Sequence, residues 1–216
     1  MDEMQKFSFS RRGIVTSHFL KVIMVLLLVV AVWNKNWSGV FGCIFGILLS
    51  GIPSILKRNY NVTLPWILDM LIAFALFLHI GGLVLYAYQI IPGYDMITHF
   101  FSSIIVAFLA FVVIYLLDEY WDGLHMDKYA MAFVVIIFTM AMGVIWEFFE
   151  WSIDFLFPTY EQWGLYDTMK DLFIDTVAGI FMAFIGVNLI RKGKFKGLID
   201  DLGKQFDAFI INRKKY

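Results

Sequence analysis

The chain has little cysteine, little proline and little charge. Of its 216 residues, one is cysteine, four are proline and 16% are charged, whereas 61% are hydrophobic. A soluble domain typically carries about 25% charged and about 45–50% apolar residues. The composition therefore excludes a water-soluble enzyme and a disordered chain, and it indicates an integral membrane protein. The single cysteine, Cys43, also excludes an internal disulfide and a zinc motif of the Cys/His kind.

The charge balance excludes nucleic acid as a partner. The formal net charge is -1 and the isoelectric point is about 6.4, so the chain has no bulk basic field to attract phosphate backbones. The partners that we expect are membrane lipids. The sequence leaves the oligomeric state open.

Six apolar segments are long enough to cross a bilayer, whose core of about 30 Å needs about 20 residues per helix. They cover about residues 13–33, 38–56, 66–91, 96–117, 129–157 and 168–190. The first is expected to stay as an anchor, because bulky Trp33 stands where signal cleavage needs a small residue. We therefore predict an all-α integral membrane protein: a six-transmembrane-helix bundle that forms one domain over residues 1–190.

The basic residues indicate the orientation of these spans. In this topology all but Lys35 and Lys170 of the 17 lysines and arginines lie on one side of the membrane. The bias predicts a multi-pass protein of the cell (inner) membrane with its N and C termini in the cytoplasm. Residues 191–216 alternate apolar and charged positions, which predicts a C-terminal amphipathic cytoplasmic helix, either solvated or lying on an anionic membrane surface.

Spans four to six carry acidic residues that the topology places at one depth, in the external half of the membrane. They are Asp95, Glu147, Glu150, Asp154, Asp167, Asp171 and Asp175. Steps of three, four or seven residues separate the acids within each span, and Asp95 stands four residues before His99. Such spacing places each set on one helix face.

Smaller and neutral polar residues extend this pattern. Span three is expected to add one stripe, which consists of His79, Gly82, Tyr86 and Gln89. Gly143 precedes Glu147 by one turn, and Gly179 and Gly186 follow the acids of span six. Small residues at these positions predict close approach between helices.

An ionised side chain in the middle of a membrane costs about 2.5–3.5 kcal/mol, so these acids must face inward. Protons, water or a bound cation must then offset their repulsion, which leaves three hypotheses open. The first is a divalent metal ion (Mg, Mn, Ca or Zn), and its ligands would be His99, Glu147, Glu150, Asp171 and Asp175. The second is a proton- or cation-coupled transporter or channel that uses the same carboxylates. The third is a structural or accessory membrane protein.

The metal hypothesis predicts a site that opens to the outer leaflet and receives a lipid or other amphiphilic substrate. The metal would polarise a phosphoryl or carbonyl oxygen, and a spare carboxylate or His99 would act as a base. The candidate catalytic residues are Asp95, His99, Glu147 and Glu150. Supporting roles are assigned to Asp154, Asp167, His79 and Tyr86. The sequence leaves open whether the protein is an enzyme.

Three segments on consecutive spans carry a family resemblance: residues 94–100 (YDMITHF), 146–151 (WEFFEW) and 166–171 (YDTMKD). In this order they resemble the YjdF-like prokaryotic inner-membrane proteins, a group that is loosely similar to VanZ-like proteins. The resemblance covers about residues 66–190. It implies a shared topology and a shared site position, and no particular activity. The family's polar positions would correspond to Asp95, His99, Glu147, Glu150, Asp167 and Asp171.

Overall fold

A computed structural model describes residues 11–60, 64, 66–157, 159–199 and 202–204. Within these ranges the chain forms helices and no strand. The helices are α1 (Arg11–Trp33), α2 (Trp37–Tyr60), α3 (Trp66–Val84), α4 (Ala87–Ile90), α5 (Tyr94–Tyr120), α6 (Lys128–Leu156), α7 (Leu165–Arg191) and α8 (Phe195–Leu198). Six of them are long and apolar enough to cross a membrane. The prediction of an all-α protein with six spanning helices is confirmed.

The ends of the helices have local causes. Asp127 caps α6 because its carboxylate accepts hydrogen bonds from the backbone N–H groups of Tyr129 and Ala130. Helix α7 begins after Gly164, whose φ of +102° lies in the region that favours glycine. Both caps belong to helices that carry the acidic residues, so they fix where those residues lie along each helix.

The third span ends earlier than predicted. Tyr86 has a φ of +58°, which ends α3 at Val84 and turns the chain into the short helix α4. The prediction of one continuous polar stripe from His79 to Gln89 is therefore wrong. Tyr88 takes the expected place instead, and its hydroxyl lies 2.8 Å from His79 Nδ1.

The chain forms two compact units. The first comprises the described residues up to Thr98 and those between Lys194 and Lys204. In it α1, α2 and α3 pack on one another around a core that includes Met24, Cys43 and Ile80. An ion pair of 3.0 Å between Lys21 Nζ and Asp69 Oδ1 also joins α1 to α3.

The second unit comprises His99–Gly193, so α5 begins in the first unit and continues into the second. Glycines set its packing, as the sequence predicted. Gly143 of α6 lies against Asp175 of α7, Gly179 of α7 lies against Thr139 of α6, and Gly186 lies against the ring of Phe111 of α5. These contacts show that α6 and α7 run antiparallel with their backbones close together.

The predicted division of the chain at residue 190 stays a prediction. Helix α8 (Phe195–Leu198) lies at the start of the predicted amphipathic tail. Residues 205–216 of that tail lie outside the described residues.

Candidate metal centre

Helix α7 buries two acids on its packed face. Asp171 is 2% exposed and Asp175 is 1% exposed, and they lie one turn apart. The same face continues into small or flexible residues that pack against neighbouring helices, and these residues are Ala178, Gly179, Met182, Ala183 and Gly186. The two acids therefore face protein because they share a stripe with the residues that make the helix contacts.

Asp175 is held by two side chains of α5. Ser103 Oγ donates a hydrogen bond of 2.6 Å to Asp175 Oδ1, and His99 Nδ1 lies 3.3 Å from the same oxygen. The imidazole is itself buried. A carboxylate at Nδ1 fixes the tautomer and the orientation of the ring, as it does for histidines that bind metals through the other nitrogen.

Gly143 makes room for this carboxylate. A Cβ atom at Gly143 would overlap Asp175 Oδ2. Any larger residue there would displace the acid from its partners on α5. The glycine therefore couples the approach of α6 and α7 to the geometry of the buried site.

Buried ligand atoms meet around His99. A nitrogen of His99 and a carboxylate oxygen of Asp171 lie within 4.8 Å of each other. Asp95 stands one turn before His99 on the same helix, and its carboxylate offers a ligand atom within the same distance of the imidazole. Ligands bind Zn²⁺, Mg²⁺ or Ca²⁺ at about 2.0–2.6 Å, so two ligands of one ion lie at most about 5 Å apart. The spacing of His99 and Asp171 fits one shared cation. We call these two residues, together with Asp95 on the helix of His99, the His99 cluster.

Glu147 adds a buried carboxylate beside the cluster. Its side chain is 5% exposed, and Oε2 accepts a hydrogen bond of 2.7 Å from Thr168 Oγ1. Its other oxygen, Oε1, is buried and has no hydrogen-bond partner among the described residues. The antiparallel register that pairs Gly143 with Asp175 brings Glu147, one turn further along α6, to the level of Asp171. A buried carboxylate oxygen without a partner is costly unless a proton or a cation satisfies it.

The remaining acids of spans five and six make contacts outside the His99 cluster. Glu150 is half-buried and accepts a hydrogen bond of 2.7 Å from Trp146 Nε1 on its own helix. Asp167 forms an ion pair of 2.7 Å with Lys170 on α7. Asp154 accepts hydrogen bonds from the segment that joins α6 to α7, at 2.7 Å from Thr159 Oγ1 and 2.8 Å from the Glu161 backbone N–H. Asp154 therefore organises this connection.

The two supporting residues of span three lie in the first unit. His79 bonds to the hydroxyl of Tyr88, and Tyr86 is half-exposed at the end of α3. Of the predicted site residues, the structure brings together His99, Asp171 and Asp175, with Asp95 on the helix of His99 and Glu147 alongside. Glu150, Asp154 and Asp167 make the other contacts given above.

Two hydroxyl residues of the site were missed by the sequence analysis. Ser103 follows His99 by one turn, and Thr168 precedes Asp171 by three residues on the same face of α7. Both would have been found by extending the acidic stripes to Ser and Thr. Carboxylates alone guided the prediction, whereas buried carboxylates also need donors.

The fold and the buried carboxylates define a helical, multi-pass membrane protein with an intramembrane acidic cluster. The family model described as "Predicted membrane protein (DUF2238)" matches residues 16–192, and the chain belongs to this family. An uncharacterised protein of Thermotoga maritima is 30% identical over 145 residues, which cover 66% of this chain and 73% of that protein. No solved structure matches the chain.

Proposed function

We propose that the His99 cluster binds one divalent cation inside the membrane. The observation that carries this proposal is the spacing of the ligand atoms: those of His99 and Asp171 lie within 4.8 Å of each other, and both side chains are at least nine-tenths buried. Carboxylates suit Mg²⁺, Ca²⁺ and Mn²⁺, and an imidazole suits Zn²⁺, so these four are the candidates.

Two neighbours complete the proposed site. Glu147 adds a buried negative charge next to the cation, because its register brings it level with Asp171 and its Oε1 needs a partner; its oxygens are not among the ligand atoms that lie within 4.8 Å of one another. Asp175 acts as a positioning residue, because its carboxylate contacts His99 Nδ1 and fixes the orientation of the imidazole. Glu150 takes no part in this assignment, because its carboxylate bonds to Trp146.

A cation at this depth suits chemistry on an amphiphile. A bound metal ion would polarise a phosphoryl or carbonyl oxygen, and Glu147, which is not among the proposed ligands, would act as the base on the polar head of a lipid. The distribution of lysine and arginine supports an inner-membrane orientation with both termini in the cytoplasm and the cluster nearer the external face. The narrower likeness to YjdF-like and VanZ-like proteins stays a prediction.

Equilibrium dialysis of the full-length protein against Mn²⁺ or Zn²⁺, followed by elemental analysis, tests the proposal. We expect about one ion per chain in the wild type, and Asp171→Asn should weaken the affinity at least about tenfold. Asp127→Asn is the matched control, because it removes a carboxylate at the other end of α6 while asparagine caps a helix equally well. A wild-type protein without stoichiometric metal, purified without chelators, would overturn the proposal.

A hydrogen-bonded chain favours a second candidate, a proton- or cation-coupled pathway. Gln162 Nε2 donates to Thr168 Oγ1 at 3.3 Å, and Thr168 Oγ1 donates to Glu147 Oε2. The chain connects the segment between α6 and α7 with a buried acid. Flux measured in sealed proteoliposomes tests this candidate, which predicts ion- or pH-driven movement that collapses in Glu147→Gln. Absence of such movement in the wild type would count against it.

A further inference from the structure

An apolar groove runs between α5 and α6 in the second unit. Its volume is about 370 Å³, within the range of about 300–1,000 Å³ that ligand pockets occupy. Every lining residue is apolar, and those used below are Val106, Ala110 and Leu117 of α5 and Val134, Phe138 and Met142 of α6. Nothing in its walls binds a polar group, so an occupant must present hydrocarbon.

One end of the groove lies close to the polar site. On α5, Ser103 precedes Val106 by three residues and His99 precedes Ser103 by four, so all three lie on one helix face. On α6, Met142 adjoins Gly143, which contacts Asp175. One end of the groove therefore lies about one turn from the hydrogen bond between Ser103 and Asp175.

The groove is long enough to hold the end of a lipid chain. Val106 and Leu117 are eleven residues apart, which corresponds to about 17 Å along an α-helix. His99 precedes Val106 by seven residues, which places about 10 Å between the cluster and the groove. One leaflet contributes about half of a hydrocarbon core of about 30 Å. A single chain of this length whose head lies at the cluster would therefore enter the groove at Val106 and end near Ala110.

We propose that this groove holds the hydrocarbon chain of an anionic amphiphile, a long-chain phosphate or carboxylate, whose head contacts the cation of the His99 cluster. The inference rests on the proposed function, because the buried acids would repel an anionic head in the absence of a cation. A bound divalent ion makes the head and the site complementary in charge, and the apolar walls accept the chain. The substrate class of the site is therefore an anionic lipid with one chain in the groove.

Photolabelling of the full-length protein in nanodiscs tests this proposal. The probe is a long-chain alkyl phosphate that carries a diazirine at the chain end, used with and without Mn²⁺. Its Mn²⁺-dependent labels should map near Ala110 and Phe138, in the half of the groove nearest the cluster, and should be absent near Leu117 and Val134 at the remote end. Ala110→Trp fills the groove and should reduce this labelling at least about tenfold. Ala141→Trp, at an exposed alanine of α6 that does not line the groove, should leave it unchanged.

The outcomes separate this inference from the proposed function. If the protein binds stoichiometric Mn²⁺ but the groove is not labelled, or if the two tryptophan variants are labelled equally, the inference is overturned. The proposed cation site is unaffected by either result. If the groove is labelled equally with and without Mn²⁺, the proposed contact between the anionic head and the cation of the His99 cluster is overturned.

Two comparison probes decide the chemistry of the occupant. An alkyl carboxylate probe is compared with the alkyl phosphate probe, and the stronger label identifies the preferred head group. A stronger label from either probe supports an anionic amphiphile. Equal labelling by an alkyl trimethylammonium probe would indicate annular lipid and overturn the inference. Cross-links between two copies of the chain at these residues would overturn it as well.

Discussion

Gly143→Ala tests whether the close approach of α6 and α7 holds the buried site in place. The added methyl group would overlap Asp175 Oδ2. That oxygen belongs to a carboxylate that is 1% exposed and is already held by Ser103 and His99. The side chain has no room to move aside, so either the carboxylate leaves its partners or the two helices separate.

Two opposing effects set the size of the change. Alanine is favoured over glycine inside a helix by about 1 kcal/mol, whereas overpacking a tight interface costs about 1–3 kcal/mol. We therefore expect Gly143→Ala to lower the free energy of unfolding by about 1 kcal/mol. Displacement of the carboxylate that orients His99 should weaken divalent-cation binding about 10–100-fold.

Gly51→Ala is the matched control for this substitution. Gly51 also lies inside a helix, and nothing lies within 4 Å of the position where its Cβ would stand. This variant gains helix propensity without a clash, so its free energy of unfolding should rise by up to about 1 kcal/mol. Unfolding in mixed dodecyl maltoside and SDS micelles, followed by circular dichroism, measures both variants, and a Mn²⁺ titration measures the affinity. A Gly143→Ala protein that matches Gly51→Ala in stability and binds Mn²⁺ normally would refute the reasoning.

Three further predictions concern other side-chain contacts of the chain. Glu147→Gln keeps a hydrogen-bond acceptor for Thr168 Oγ1 but removes the negative charge. Mn²⁺ affinity should therefore fall at least about tenfold, while the free energy of unfolding changes by less than about 1 kcal/mol. A Mn²⁺ titration indistinguishable from that of the wild type would contradict this. Lys21→Met removes the ion-pair partner of Asp69 and should destabilise the protein by about 1–2 kcal/mol in the micelle assay. Adding Asp69→Leu should restore most of the loss. Equal stability of the single and double variants would show that the ion pair does not stabilise the protein. Asp154→Ala removes the acceptor of three hydrogen bonds from residues 159–162 and should destabilise the protein by about 2 kcal/mol, with faster proteolysis of that segment; an unchanged cleavage rate would count against that role.

The six spans could be predicted because membrane insertion follows from local composition. Runs of about 20 apolar residues identified the six spanning helices, and helical spacing brought Asp171 and Asp175 to one face. The positions of Gly143, Gly179 and Gly186 predicted close helix approach, which the structure confirms. These features depend on one helix at a time or on the size of one residue.

Which residues join the site could not be predicted as well, because this depends on the rotation of each helix and on the register between helices. Glu150 shares the stripe of Glu147, yet its carboxylate bonds to Trp146 while Glu147 is buried. The stripe of span three failed because Tyr86 adopts a left-handed conformation that ends the helix, which non-glycine residues seldom do. Ser103 lies on the same stripe as His99, but its hydrogen bond to Asp175 depends on the register between α5 and α7, which the pattern of one helix does not fix.

Pulsed EPR of Mn²⁺ bound to the full-length protein tests the central claim, that one imidazole and neighbouring carboxylates share a cation. The wild type should show hyperfine coupling to one nitrogen. His99→Gln should lose this coupling, whereas Asp127→Asn should keep it. Wild-type Mn²⁺ without nitrogen coupling, or with coupling that survives in His99→Gln, would contradict the account.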